Sequence, residues 1–165
     1  MTLRLILMRH AKSAWDDPLM EDHDRVLNAR GQRSAQAMGD WLREKDYLPG
    51  QVLCSSAART RETLDRLKLP EAETDYLRRL YLAGSDVMME VLQSAEAQTV
   101  LMVGHNPGIG EFAARLLASA PDHPQFRRYP TCATLVADFP QNDWGAVRFH
   151  TARPVDFIVP RELTD

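Results

Sequence analysis

Cysteine is nearly missing from this chain of 165 residues: only Cys54 and Cys132 are present. A pair so sparse, set within strand-like segments, reads as reduced core thiols rather than a disulfide, and it places the protein in the cytoplasm. Long apolar runs are missing as well. Met1 to Met8 is short and interrupted by Arg4, so it reads as neither a signal peptide nor a membrane span. The sequence has no His-Glu-x-x-His, no Cys-x-x-Cys and no carboxylates at ligand spacing, and therefore no metal or other cofactor is expected. Gly104 to Gly110 lacks the lysine of a P-loop, and its glycines read simply as a tight turn. Linkers, repeats and low-complexity tracts are missing too, so residues 1–165 are expected to form one domain with an ample core. With 20 Lys and Arg against 23 Asp and Glu the formal net charge is −3, and the basic residues are scattered along the sequence, which disfavours a nucleic-acid partner.

What the chain does have is a set of short apolar runs that end on chemistry. Leu3 to His10 reads as a buried strand delivering Arg9 and His10 at its end, followed by an aperiodic polar loop from Ala11 to Pro18. Gln51 to Cys54 reads as a second strand, opening into a helix from about residue 57 to 67 that Ser55 or Ser56 would cap and that carries Arg59 in its first turn. Thr99 to Val103 reads as a third, followed by His105 and by Pro107 at the start of a helix over about 108 to 118. Taken singly, Arg59 is an ordinary helix residue and His105 an ordinary turn residue. Taken together, they matter because parallel strands deliver their carboxyl ends to one edge of a sheet, where open α/β folds bind ligands. Helix N-termini and arginine forks at that edge favour an anion such as phosphate.

Four segments carry a resemblance to the histidine phosphatase superfamily, the group related to phosphoglycerate mutases, and within it to the SixA-type phosphohistidine phosphatases. They are Met8-Arg9-His10-Ala11-Lys12-Ser13 with Trp15, Leu27-Asn28-Ala29-Arg30-Gly31, Ser55 to Thr63, and Val103-Gly104-His105-Asn106-Pro107-Gly108. The resemblance implies that His10 is a nucleophile that becomes phosphorylated, with Arg9, Arg59 and His105 completing the phosphate pocket. It also implies that Arg25, in the acid-rich loop before the helix over about 30 to 45, stands close to the phosphate; Ser13 and Asp16 are further candidates for substrate contact. His23, in the same loop, reads as solvated. The chemistry is coherent without a metal, since a neutral imidazole is nucleophilic and cationic donors can stabilise a phosphoryl group in transfer.

Many relatives that act on alcohol esters carry an acidic glutamate between the second and third of these motifs, whereas Leu77 to Gly84 contains none. Expelling an alkoxide needs a proton donor worth on the order of 100- to 10,000-fold. A phosphohistidine can instead leave as neutral imidazole once its ring is protonated, so N–P bonds are the expected substrate unless Asp16, Asp24, Asp86 or Glu90 folds back as the acid. The expected activity is that of a phosphohistidine phosphatase acting on a partner protein such as a phosphotransfer domain in signal transduction, with the protein itself a monomer. The alternatives are a broad small-molecule phosphomonoesterase and a non-catalytic phosphohistidine-binding module. The expected fold is α/β, a three-layer αβα sandwich with a mostly parallel sheet and an antiparallel edge strand. Further strands are placed at Ala133 to Phe139 and Ala146 to Thr151, and a further helix at about 85 to 95. The segment 119–130, with Pro121, Pro124 and Pro130, is left as a loop with room to lie over the site.

Overall fold

The structure, a computed structural model, describes residues 2–164. Six strands form one sheet: β1 (Leu3–Arg9), β2 (Gln51–Ser55), β3 (Glu73–Leu77), β4 (Thr99–Gly104), β5 (Thr134–Phe139) and β6 (Arg153–Ile158), in the order β3-β2-β4-β1-β5-β6. The first four pair in parallel, while β5 runs against β1 and β6 against β5, so the antiparallel pairing sits at one edge in the C-terminal third. Helices α1 (Ala29–Glu44), α2 (Ala58–Leu67), α3 (Ser85–Gln93), α4 (Gly108–Leu116) and the short α5 (Arg161–Thr164) complete the fold. Among the described residues no helix is long and apolar enough to cross a membrane.

The uniform hydrophobicity of β1 has a simple cause, because it is covered on both faces. Leu5 and Leu7 join α3 and α4 through Met88, Leu92, Ile109 and Phe112. Ile6 and Met8, alternating with them, join α1 and α2 through Met38, Leu42 and Leu67. Cys54 and Cys132 are free and buried in this second layer of core. The helix after β1 therefore covers one face and the helix after β4 the other, so the adjacent ends of β1 and β4 flank a topological switch point, where open sheets leave a crevice.

Two parts of the sequence reading need correction. The strand expected over Ala146 to Thr151 is instead a 3-10 turn at Trp144–Ala146 and a loop, anchored where the Trp144 indole N–H donates to the Ala97 carbonyl at 2.6 Å. The true strand is β6, which tolerates Pro154 because it is outermost. Strand β3 is not legible in the sequence, since at the opposite edge its exposed residues give it no apolar signal.

Candidate active site

The ends of β1 and β4 stand side by side, Arg9 in register with Gly104. The His10 backbone is fixed on both sides: its N–H donates to Gly104 and its carbonyl accepts from Cys132 N–H. The side chain is held as firmly. His10 Nδ1 lies 2.7 Å from the Ala11 carbonyl, an acceptor only, so Nδ1 carries the ring proton and the lone pair is left on Nε2. Burial pulls His10 down from 6.5 to about 4; the Ala11 carbonyl opposes this, and the Arg59 and Arg9 charges add to it. At neutral pH the imidazole is therefore unprotonated and nucleophilic.

Helix α2 is clipped to this loop by one hydroxyl, since Thr63 Oγ1 accepts from Ala11 N–H at 2.9 Å and donates to the Arg59 carbonyl. Arg59, nearly fully buried, thereby faces His10, with its Nε 3.4 Å from His10 Nε2. The cap expected from Ser55 or Ser56 does not form, for α2 has no side-chain cap. Ser55 serves the site instead. Its Oγ accepts from Ala57 N–H and lies 2.8 Å from His105 Nε2, to which its own proton is free to donate. With Ser55 as the donor, the ring proton of His105 lies on Nδ1, a buried atom without a hydrogen-bond partner among the described residues. Burial and then the neighbouring His10 and Arg59 lower His105 to about 3, keeping it a neutral donor. Arg9 Nε is likewise buried and has no partner among the described residues, while its Nη1 donates to the Tyr129 carbonyl.

Arg9, His10, Ser13, Arg59 and His105 thus line one cleft of about 370 Å³, together with Lys12, Trp15, Asp22 and Asn106. Ser13 sits under its mouth, accepting the Trp15 indole N–H at 2.9 Å. Arg25 is not in the lining: its guanidinium stacks 4.0 Å above the Trp15 ring and donates to the Asp17 carbonyl. Asp16 is exposed and outside the lining, and the other candidate acids lie apart, Asp86 paired with Arg115, Glu90 with Arg79 and Asp24 beside His23. His23 is not merely solvated; it lies 2.9 Å from Ser56 Oγ and packs edge-on against Tyr81. Sequence reasoning missed Asp22 and Tyr81. Asp22 accepts from Arg59 through both its backbone and carboxylate oxygens, and Tyr81 donates to the same carboxylate. Burial pushes the Asp22 carboxyl up, but the Tyr81 hydroxyl and Arg59 outweigh it and hold it below its ordinary value. No spacing marks Asp22 among the five acids of residues 16 to 24, which only the fold separates.

No residue of the segment 119–130 lines the cleft; Phe126 packs on Phe157 of β6, and the site is bordered by Thr131 and by the backbone carbonyls of Arg128 and Tyr129.

Comparison with known proteins supports the same conclusion. Residues 5–81 match the histidine phosphatase superfamily, branch 1. The chain is similar to uncharacterized protein ML1117 of Mycobacterium leprae, 36% identical over 163 residues that cover 93% of this chain and 100% of that one. Among solved structures it is similar to a candidate phosphohistidine phosphatase, SixA, from Nakamurella multipartitia, with a TM-score of 0.84 and 31% identity over 97% of each chain. A SixA candidate from Agrobacterium tumefaciens gives a TM-score of 0.79 and 29% identity over 97% of this chain and 100% of that one. Because a family match over residues 5–81 is joined by a likeness to relatives that runs the length of the chain, the chain belongs to the histidine phosphatase superfamily.

Proposed function

We propose that the chain is a phosphohistidine phosphatase that works through a phosphorylated His10, and that residues 1–165 act as one catalytic unit. The observation that carries this reading is the company of His10 Nε2: an unprotonated nitrogen beside the Arg59 fork, in one cleft with Arg9 Nε and His105 Nδ1, two buried nitrogens without a partner among the described residues. Buried donors left unpaired are costly, and a phosphoryl group brings the oxygens that would satisfy them. In the first step the Nε2 lone pair bonds to phosphorus and the P–N bond of the substrate breaks. Its electron pair returns to the substrate ring, which leaves as neutral imidazole because its other nitrogen carries a proton. Water then bonds to phosphorus as the P–Nε2 bond breaks and its electron pair returns to Nε2; both hydrogens of the water leave with the phosphate, and His10 is restored with its proton on Nδ1. Arg9, Arg59 and His105 supply positive charge and donors where oxygen charge accumulates.

The only carboxylate in the cleft lining among the described residues supports N–P over O–P chemistry. Asp22 is held ionised by Arg59 and Tyr81, so it has no proton to give to a departing alkoxide. The test is the ratio of kcat/KM for a phosphohistidine protein to that for a phosphoserine peptide, with His10→Ala as the blank. A ratio above about 100, lost in the variant, is expected from the missing acid. A ratio near one would refute the specificity.

A further inference from the structure

Beside the active site lies a second depression, and the two share a wall. Thr131 lines both. The backbone around it is tied to the catalytic residues: Arg9 donates to the Tyr129 carbonyl, the Asn106 amide donates to the Arg128 and Tyr129 carbonyls, and Cys132 N–H donates to His10. On its other side this segment faces the first turns of α1 and the start of α5. There Arg30, Arg128 and Arg161 surround a cleft of about 240 Å³, and Arg33 joins them where the depression continues along α1. All four arginines are exposed.

Like Arg61, Arg78, Arg127 and Arg148 elsewhere on the surface, they differ from the arginines that are paired with acids. Arg4, Arg43, Arg66, Arg79, Arg115 and Arg153 each hold a carboxylate. Among the described residues, none of the four cleft arginines has an ion pair or a side-chain hydrogen bond. In a chain with a formal net charge of −3, the fold has gathered four arginines next to the catalytic cleft. The N-terminal dipole of α1 adds to their field. None of the four lines the cleft that holds His10. Arginine forks match carboxylates geometrically, and unpaired cations at a rim chiefly accelerate and orient encounter with an oppositely charged face. Nucleic acid is the weaker match, because no aromatic side chain lines the cleft to stack a base.

We infer that the Arg30–Arg33–Arg128–Arg161 cleft docks an acidic face of the protein that presents its phosphohistidine to His10. The inference rests on the proposed function. The test compares wild type with Arg30→Glu/Arg161→Glu on two substrates: a phosphotransfer domain whose phosphohistidine is ringed by carboxylates, and phosphoramidate, which is too small to span both clefts. Glutamate at position 30 suits the first turn of α1, so the helix should survive. The expected result is a fall of about tenfold or more in kcat/KM for the protein, with phosphoramidate turnover unchanged within about twofold. Wild-type turnover of the protein, but not of phosphoramidate, should also drop as salt rises from about 50 to about 200 mM. Unchanged protein turnover in the variant overturns the docking cleft alone, and so does an equal loss with both substrates. Wild type inactive on both substrates overturns the phosphohistidine reading, and the docking role with it. Inhibition of protein turnover by a single-stranded oligonucleotide, where poly-L-glutamate has no effect, overturns the acidic partner in favour of nucleic acid.

Discussion

Keeping two histidines neutral inside the cleft makes stability depend on pH in a way that can be measured. His10 falls from 6.5 to about 4 and His105 from 6.5 to about 3, both for burial first. Each ring is almost inaccessible, 6% and 1% exposed, so solvent screening is slight. Between those values and 6.5 the unfolded chain binds more protons than the folded one, so stability falls as pH falls through that window. Integrated to about pH 5, each histidine costs about 2 kcal/mol relative to about pH 7.5, or about 4 kcal/mol for the pair. That is a large share of the roughly 5–15 kcal/mol that holds a typical domain together. Urea unfolding at the two pH values, in wild type and in His10→Asn/His105→Asn, isolates the effect, because the carboxylates titrate equally in both. Wild type should lose about 4 kcal/mol more than the double variant, and His10→Asn alone should retain about half of the difference. Equal losses in all three proteins would mean that these rings are not held neutral by the fold, and the argument for a nucleophile ready at neutral pH would fail.

Asp22 competes with any bound anion for Arg59, and its side chain is 40% exposed, so the pair is only moderately strong. Asp22→Asn should tighten inorganic phosphate binding about fivefold by calorimetry; weaker binding would show that Asp22 positions Arg59 instead of restraining it. Gly31 is required by close approach, since a β-carbon there would stand 2.1 Å from the Lys12 carbonyl oxygen. Gly31→Ala should therefore cost about 1–3 kcal/mol in denaturant unfolding as α1 is pushed off the loop after β1, and a cost near zero would mean that the loop yields freely.

Much of this protein is local enough to be read from its residues. The apolar runs of β1, β2 and β4 declare themselves because burial on both faces leaves no room for polar positions, and Asn28, accepting from Gly31 N–H, marks the start of α1. His10, Arg9, Arg59 and His105 follow as residues at strand ends and in a first helical turn, since parallel direction alone brings those points to one edge. Edge strands are less legible: β3 lacks an apolar face, and β6 carries a proline, so the sequence hides the first and displaces the second. Only the tertiary structure selects Asp22 and Tyr81 as partners of Arg59, assigns Ser55 to His105 rather than to a helix cap, and leaves Arg25 stacked on Trp15 outside the cleft lining. It alone also gathers Arg30, Arg128 and Arg161, dispersed in sequence, into one cleft. The division has a physical cause. Periodicity and strand direction are properties of neighbouring residues and act through the backbone, whereas the partner of a charge, the proton on an imidazole and the sum of a surface field depend on side chains that meet only when the chain is closed.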